Sequence, residues 1–108
     1  WHLYCPKMDG AGRWYYATSS DGLNFKNEAE VDIGKGHDWL GNVISVRDGL
    51  RFFGTARPGG WLGASQDGFH WSLVQKANSP GADPGAVLTA RGQTLVISTG
   101  PPQRHEAR

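Results

Sequence analysis

The sequence predicts an all-β chain of stacked, four-stranded antiparallel units, and three observations carry that prediction. Ser19-Ser20-Asp21-Gly22-Leu23-Asn24-Phe25 recurs as Ser65-Gln66-Asp67-Gly68-Phe69-His70-Trp71, with the aspartates 46 positions apart (67 minus 21). Repeats of this period mark modular arrays rather than one irregular core. Sixteen glycines and six prolines leave no helix-length stretch free of breakers. Short runs of β-branched and aromatic residues alternate with Asp-Gly and Pro-Gly turn signals along the chain.

The elements follow in order. His2–Cys5 reads as a strand closed by Pro6, with Cys5 packed inside it, and Met8–Gly12 reads as a loop. Arg13–Thr18 is an aromatic strand centred on Trp14-Tyr15-Tyr16. Asp21-Gly22 turns the chain into a polar strand, Asn24–Glu30, whose Glu28 and Glu30 are expected in solvent, and Ile33–Asp38 is a loop. Gly41–Val46 and Leu50–Thr55 flank Asp48-Gly49, a strong short-range hairpin signal. After the break at Pro58-Gly59-Gly60, strands Trp61–Ser65 and His70–Gln75 flank Asp67-Gly68. Ser79–Gly85 is a loop, and Ala86–Ala90 with Thr94–Ser98 forms a last hairpin around Arg91-Gly92.

The repeat extends beyond the doubled phrase. Gly41, Val43, Arg47 and Thr55 recur as Gly85, Val87, Arg91 and Thr99, each 44 positions on, and Asp38 recurs as Asp83 at 45. One unit is thus an aspartate-led loop followed by four strands. Four short antiparallel strands in roughly 40–45 residues is the size of one propeller blade. Residues 38–82 hold a complete blade, 1–37 the last three strands of another, and 83–108 the first two strands of a third. A closed propeller needs at least about four blades, so this partial propeller exposes strand edges. Together with the start at Trp1, this predicts a homo-oligomer, the remainder of a larger propeller, or a truncation.

Within the phrase, Asp21 and Asp67 are expected to accept backbone N–H groups of their own turns. Ser19 and Ser65 tie the other side, Gly22 and Gly68 supply a positive φ, and Phe25 and Trp71 fold back between the sheets. The phrase resembles the Asp-box of sialidases, although that box has one residue between its Asp and Gly where this chain has none. Asp83-Pro84-Gly85-Ala86-Val87 followed by Thr94-Leu95-Val96-Ile97-Ser98-Thr99 resembles an innermost hairpin of the five-bladed propeller glycoside hydrolases, the arabinanase/xylosidase and invertase-type enzymes. The resemblance covers nearly the whole chain as a pattern.

That resemblance implies a carbohydrate in a central pocket, with working carboxylates near the starts of innermost strands. It points to Asp38 and Asp83 as one pair and to Glu106 as a speculative acid. Glycoside hydrolysis needs two facing carboxyl groups, ~5–5.5 Å apart for retention or ~6.5–9.5 Å for inversion. Capping the strand entry is the competing role for both aspartates. Trp39 offers a flat platform for a sugar face, and His37, Arg57 and Arg104 are candidate contacts for hydroxyl or carboxylate groups. The departures are that Asp38 is followed by Trp39 rather than proline, and that the Asn-Asp-Pro-Asn and Glu-Cys signatures are missing. A non-catalytic carbohydrate-binding or self-assembling module is therefore the alternative reading.

Composition narrows the other classes. Eleven basic against ten acidic residues, with no basic run, gives a nucleic-acid or anionic-membrane partner no electrostatic support. No apolar stretch is long enough to span a bilayer as a helix. Cys5 is the single cysteine, no Cys/His cluster has zinc spacing, and Gly10-Ala11-Gly12 lacks a nucleotide loop's strand–helix setting. The sequence implies no cofactor or metal, and it leaves the compartment open.

Overall fold

The computed structural model describes residues 1–37, 39–56, 59–76 and 82–100. Nine strands lie among them: β1 His2–Pro6, β2 Arg13–Thr18, β3 Lys26–Asp32, β4 Trp39–Val46, β5 Gly49–Thr55, β6 Gly60–Ser65, β7 Ser72–Lys76, β8 Ala82–Leu88 and β9 Thr94–Thr99. They form three antiparallel sheets in sequence order, β1-β2-β3, β4-β5-β6-β7 and β8-β9. The all-β, antiparallel architecture stands.

The boundaries differ from the sequence reading for physical reasons. The strands β3 and β7 start two residues later than Asn24 and His70. Asp21 Oδ1 accepts the N–H groups of Leu23 and Asn24, each at 2.8 Å. Asp67 Oδ1 accepts those of Phe69 and His70, also at 2.8 Å. Those amides are spent on the turn and cannot enter a ladder, so pairing begins after each phrase. In the β4–β5 hairpin, Val46 faces Gly49, which makes Arg47-Asp48 the turn and puts Gly49 inside β5. The strand β8 reaches back through Asp83 and Pro84 and stops at Leu88, where Thr89 N–H donates to Gln93 C=O at 2.8 Å.

The core lies between the first two sheets. Alternation on β2 and β3 sends Trp14, Tyr16 and Val31 to one face, where they meet Phe52, Trp61, Trp71 and Ile33. Trp14 and Trp61, both essentially inaccessible, stack with ring centroids 5.7 Å apart. Full burial of such rings is worth several kcal/mol each, on the order of 25 cal/mol per Å². The Tyr4 hydroxyl crosses from β1 to donate to the Gly68 carbonyl, which also accepts the Trp71 indole N–H at 3.0 Å. Burial pushes the Tyr4 phenol up from its ordinary range, so it acts as a neutral donor. Cys5, expected inside, instead lies exposed on the opposite face of β1, because the pleat that buries Tyr4 turns its neighbour outward. Glu30 is exposed as expected and ion-paired to Lys7 at 2.8 Å and Arg13 at 3.3 Å.

The doubled phrase builds the same hydrogen-bonded turn twice. Ser19 Oγ and Ser65 Oγ each accept the N–H of the glycine three residues on, at 2.8 Å. Each serine hydroxyl also donates to the aspartate Oδ1, at 2.8 Å and 3.2 Å. The other carboxylate oxygen takes the Asn24 amide at 2.8 Å in one turn and the His70 ring Nδ1 at 2.6 Å in the other. Gly22 and Gly68 sit at φ 77° and 83°, in the left-handed region that the turn requires. Trp71 is buried and Phe25 half-buried behind their turns.

This bonding holds both carboxyls well below the usual carboxylate range, led by the backbone N–H of Asn24 for Asp21 and the His70 side chain for Asp67. A carboxyl depressed in the folded state stabilises the fold above its unfolded pKa, and that contribution fades as pH falls through the folded value. Thermal stability is therefore expected to decline progressively below about pH 4. In a Tm-versus-pH series the Asp21→Asn/Asp67→Asn double variant should show a shallower acid decline than the parent. Equal slopes would remove these turns from the acid response.

Sheet β8-β9 docks on the second sheet through β4. Asn42 brackets one residue of β8: its Nδ2 donates to Ala86 C=O at 2.8 Å, and its Oδ1 accepts Ala86 N–H at 2.7 Å. The neighbouring Gly41 has no room for a side chain, since a Cβ there would lie 2.5 Å from Pro84 O and 2.6 Å from Phe53 O. On the far side of β8-β9, Val87, Leu95 and Ile97 stay exposed.

Candidate functional site

Two β-bulges shape the ground between the second and third sheets. Leu40 faces Gly54 while Asn42 faces Phe53, which leaves Gly41 as an extra residue in β4. Ala82 faces Thr99 while Gly85 faces Ile97, which leaves one extra residue in the Asp83-Pro84 stretch of β8. Bulges bend a strand and re-aim its side chains, and they concentrate next to functional sites. Here they flank a cleft of about 550 Å³ lined by Met8, Gly36, Trp39, Thr55, Ala56, Ala82 and Asp83.

Trp39, at the start of β4, is half exposed, and its indole Nε1 donates to Asp83 Oδ1 at 2.5 Å. The carboxylate thus fixes the edge of the indole while the ring remains available. Asp83 reaches this position with φ 49°, and Met8, from the β1–β2 loop, has φ 58°. Among the described residues these are the two non-glycine residues with left-handed backbones, and both line this cleft. Such conformations cost of order 1–3 kcal/mol each and persist where surrounding structure imposes them.

For Met8 the imposing structure is a stitched loop. Lys7 N–H donates to Arg13 C=O at 3.0 Å, Ala11 N–H to Asp9 Oδ1 at 2.9 Å, and Ile33 N–H to Gly12 C=O at 3.1 Å. Thr55 adds a polar group to the wall. Its Oγ1 is buried with no hydrogen-bond partner among the described residues, an arrangement that costs about 1–3 kcal/mol when left unmet.

The structure brings Trp39 and Asp83 together across 44 positions of sequence. His37 is placed elsewhere. Its Nδ1 donates to Gly34 C=O at 3.1 Å, and its ring meets Trp61 edge-on at 5.4 Å. Its own carbonyl accepts the Trp14 indole N–H at 3.1 Å, so it secures the core rather than lining the cleft. Asp38, Arg57, Arg104 and Glu106 lie outside the described residues. Asp21 and Asp67 serve their own turns at the corners between β2 and β3 and between β6 and β7, away from the cleft's lining.

Met8, Thr55 and Asn42 were missed in the sequence. The signal for Asn42 was present: the 44-residue offset that pairs Gly41 with Gly85 also pairs Asn42 with Ala86, the residue it brackets. Met8 carries no local signal, because its backbone conformation is set by hydrogen bonds between its neighbours and a loop twenty residues away. Compared with known proteins, the chain matches no protein-family model, no curated protein and no solved structure.

Proposed function

We propose that the three sheets are successive units of a propeller-type array and that the cleft between the second and third binds a carbohydrate. The carrying observation is the half-exposed Trp39 indole, held by Asp83 on the wall of a cleft of about 550 Å³. An aromatic face suits the C–H face of a pyranose, and orientation by a hydrogen bond lowers the ordering cost of stacking. The Asp83 carboxylate offers a partner for sugar hydroxyl groups. Asp83 is the one formally charged residue among the described lining residues, which favours a neutral glycan over an anionic one.

Hydrolysis is the second reading, and it rests on the position of Asp83 at an innermost-strand start. The bond from Trp39 favours binding as the principal role, because it engages one carboxylate oxygen in orienting the platform. The two readings separate cleanly in variants. Trp39→Ala is expected to reduce affinity for neutral oligosaccharides at least tenfold by calorimetry, consistent with stacking worth about 1.5 kcal/mol. Asp83→Asn keeps an oxygen acceptor for the indole and is expected to bind glycan within about threefold of the parent. Turnover of aryl glycosides that Asp83→Asn abolishes would establish the hydrolytic reading instead. Glycan binding unaffected by Trp39→Ala would remove the cleft from consideration.

A further inference from the structure

Asp83 carries an unbalanced charge on the wall of the cleft. Its Oδ1 accepts the Trp39 indole N–H at 2.5 Å, a neutral donor that orients the carboxylate without neutralising it. The cations of the β1–β2 loop that supplies Met8 are committed elsewhere. Lys7 pairs with Glu30 at 2.8 Å, and Arg13 pairs with Asp9 at 2.6 Å and with Glu30 at 3.3 Å. His70 pairs with Asp67 in the β6–β7 turn. Among the described residues no cation pairs with Asp83.

The rest of the lining has little to offer a ligand rich in hydroxyl groups. Met8, Ala56 and Ala82 are apolar, Gly36 has no side chain, and the Thr55 Oγ1 is buried. The side-chain features left to a ligand are one indole face and one carboxylate, and both favour positive charge. An aromatic face carries negative potential and attracts a cation or C–H groups polarised by one. A carboxylate binds an ammonium through charge-assisted hydrogen bonds, stronger than those it makes with a hydroxyl. A pyranose stacked on the indole projects its equatorial substituents past the ring edge. At the Nε1 edge such a substituent meets Asp83. The protein as a whole does not gather cations, since its formal net charge is +1, so a preference for positive charge must arise locally.

We infer, on the carbohydrate reading of this cleft, that it selects an amino sugar. The ligand is a glycan with a protonated amine on the ring, its C–H face on Trp39 and its ammonium against the Asp83 carboxylate. The indole bond fixes the carboxylate beside the platform, so the two contacts are made together.

The test compares two trisaccharides of the same linkage, one of glucosamine and one of glucose, which differ by an ammonium for a hydroxyl on each ring. Both are titrated calorimetrically into the full chain at about pH 6, where the amines are protonated. The glucosamine trisaccharide is expected to bind about tenfold more tightly. Asp83→Asn should bring the two affinities within about twofold of each other. It keeps an oxygen acceptor for the indole, and asparagine tolerates the left-handed backbone at φ 49°. Asp48→Asn removes the same charge from the turn at the far end of the β4–β5 hairpin and should leave the preference whole. Unchanged hydrogen-exchange protection of β8 and β9 in Asp83→Asn would assign the lost preference to charge rather than to detachment of the third sheet. Equal, Trp39-dependent affinities of the parent for the two sugars would overturn the amino-sugar preference and leave the carbohydrate reading in place. A preference that survives Asp83→Asn would overturn it as well. Binding of neither sugar would overturn both readings.

Discussion

Gly54→Ala is expected to abolish the native packing of the two larger sheets. A Cβ at position 54 would lie 2.3 Å from Cε2 and Cζ2 of Trp61 and 2.6 Å from the Trp39 carbonyl oxygen. Neither neighbour can give way. Trp61 is 1% exposed, stacked on Trp14 and flanked by Phe52 and His37, and the Trp39 oxygen is backbone of the adjacent strand. Overpacking of this kind costs about 3 kcal/mol, a large part of the stability of a chain this size. The melting temperature should fall by about 15 °C, with loss of near-ultraviolet circular dichroism from the buried tryptophans. A variant that melts like the parent would show that the indole has another resting place and that the core is looser than its geometry.

The second large effect is expected at Gly41, and it is selective. An alanine there would push against Pro84 O at 2.5 Å and Phe53 O at 2.6 Å, driving β8 off β4 while leaving the Trp14–Trp61 core alone. A cost of about 2 kcal/mol corresponds to roughly 30-fold in the docking equilibrium. Hydrogen exchange should show faster opening confined to β8 and β9, and the proposed glycan binding should weaken with it because Asp83 leaves Trp39. Gly85 provides the control. It is the repeat counterpart of Gly41, yet a Cβ there meets nothing closer than Ile97 O at 3.9 Å. Gly85→Ala should be silent in both measurements. Equal effects at the two glycines would mean that the close backbone approach at Gly41 is not what holds the third sheet in register.

Much of the fold was legible because its signals are local. Asp-Gly turns, β-branched runs and a spaced repeat each constrain a few adjacent residues, and together they predicted every strand among the described residues to within a few positions. The errors came where one group's hydrogen bonds displace another's. Asn24 and His70 look like strand residues until their amides are seen to be taken by Asp21 and Asp67. Cys5 looks like a core residue until the pleat is phased by Tyr4 reaching Gly68. The candidate site divides along the same line. Trp39 and Asp83 were readable as residue types at strand starts, but their bond spans 44 positions. The place of Met8 depends on a loop stitched to a different part of the chain. The sequence offers His37 either as a contact for a sugar hydroxyl or as an exposed loop histidine. The structure sets its ring at 87° to that of Trp61, with centroids 5.4 Å apart, a contact that spans 24 positions of sequence.

The Asn42 bracket on Ala86 gives the cleft a thermodynamic character of its own. The first two sheets share one core, whereas the third is held to them by a side-chain amide, a close backbone approach and the Trp39–Asp83 bond. Detachment of that sheet is therefore a smaller opening than global unfolding, and it dismantles the cleft as it occurs. Any ligand seated in the cleft that requires both Trp39 and Asp83 must stabilise the docked arrangement by the same free energy that docking contributes to its binding. Affinity of such a ligand and attachment of the third sheet would then be two readings of a single equilibrium.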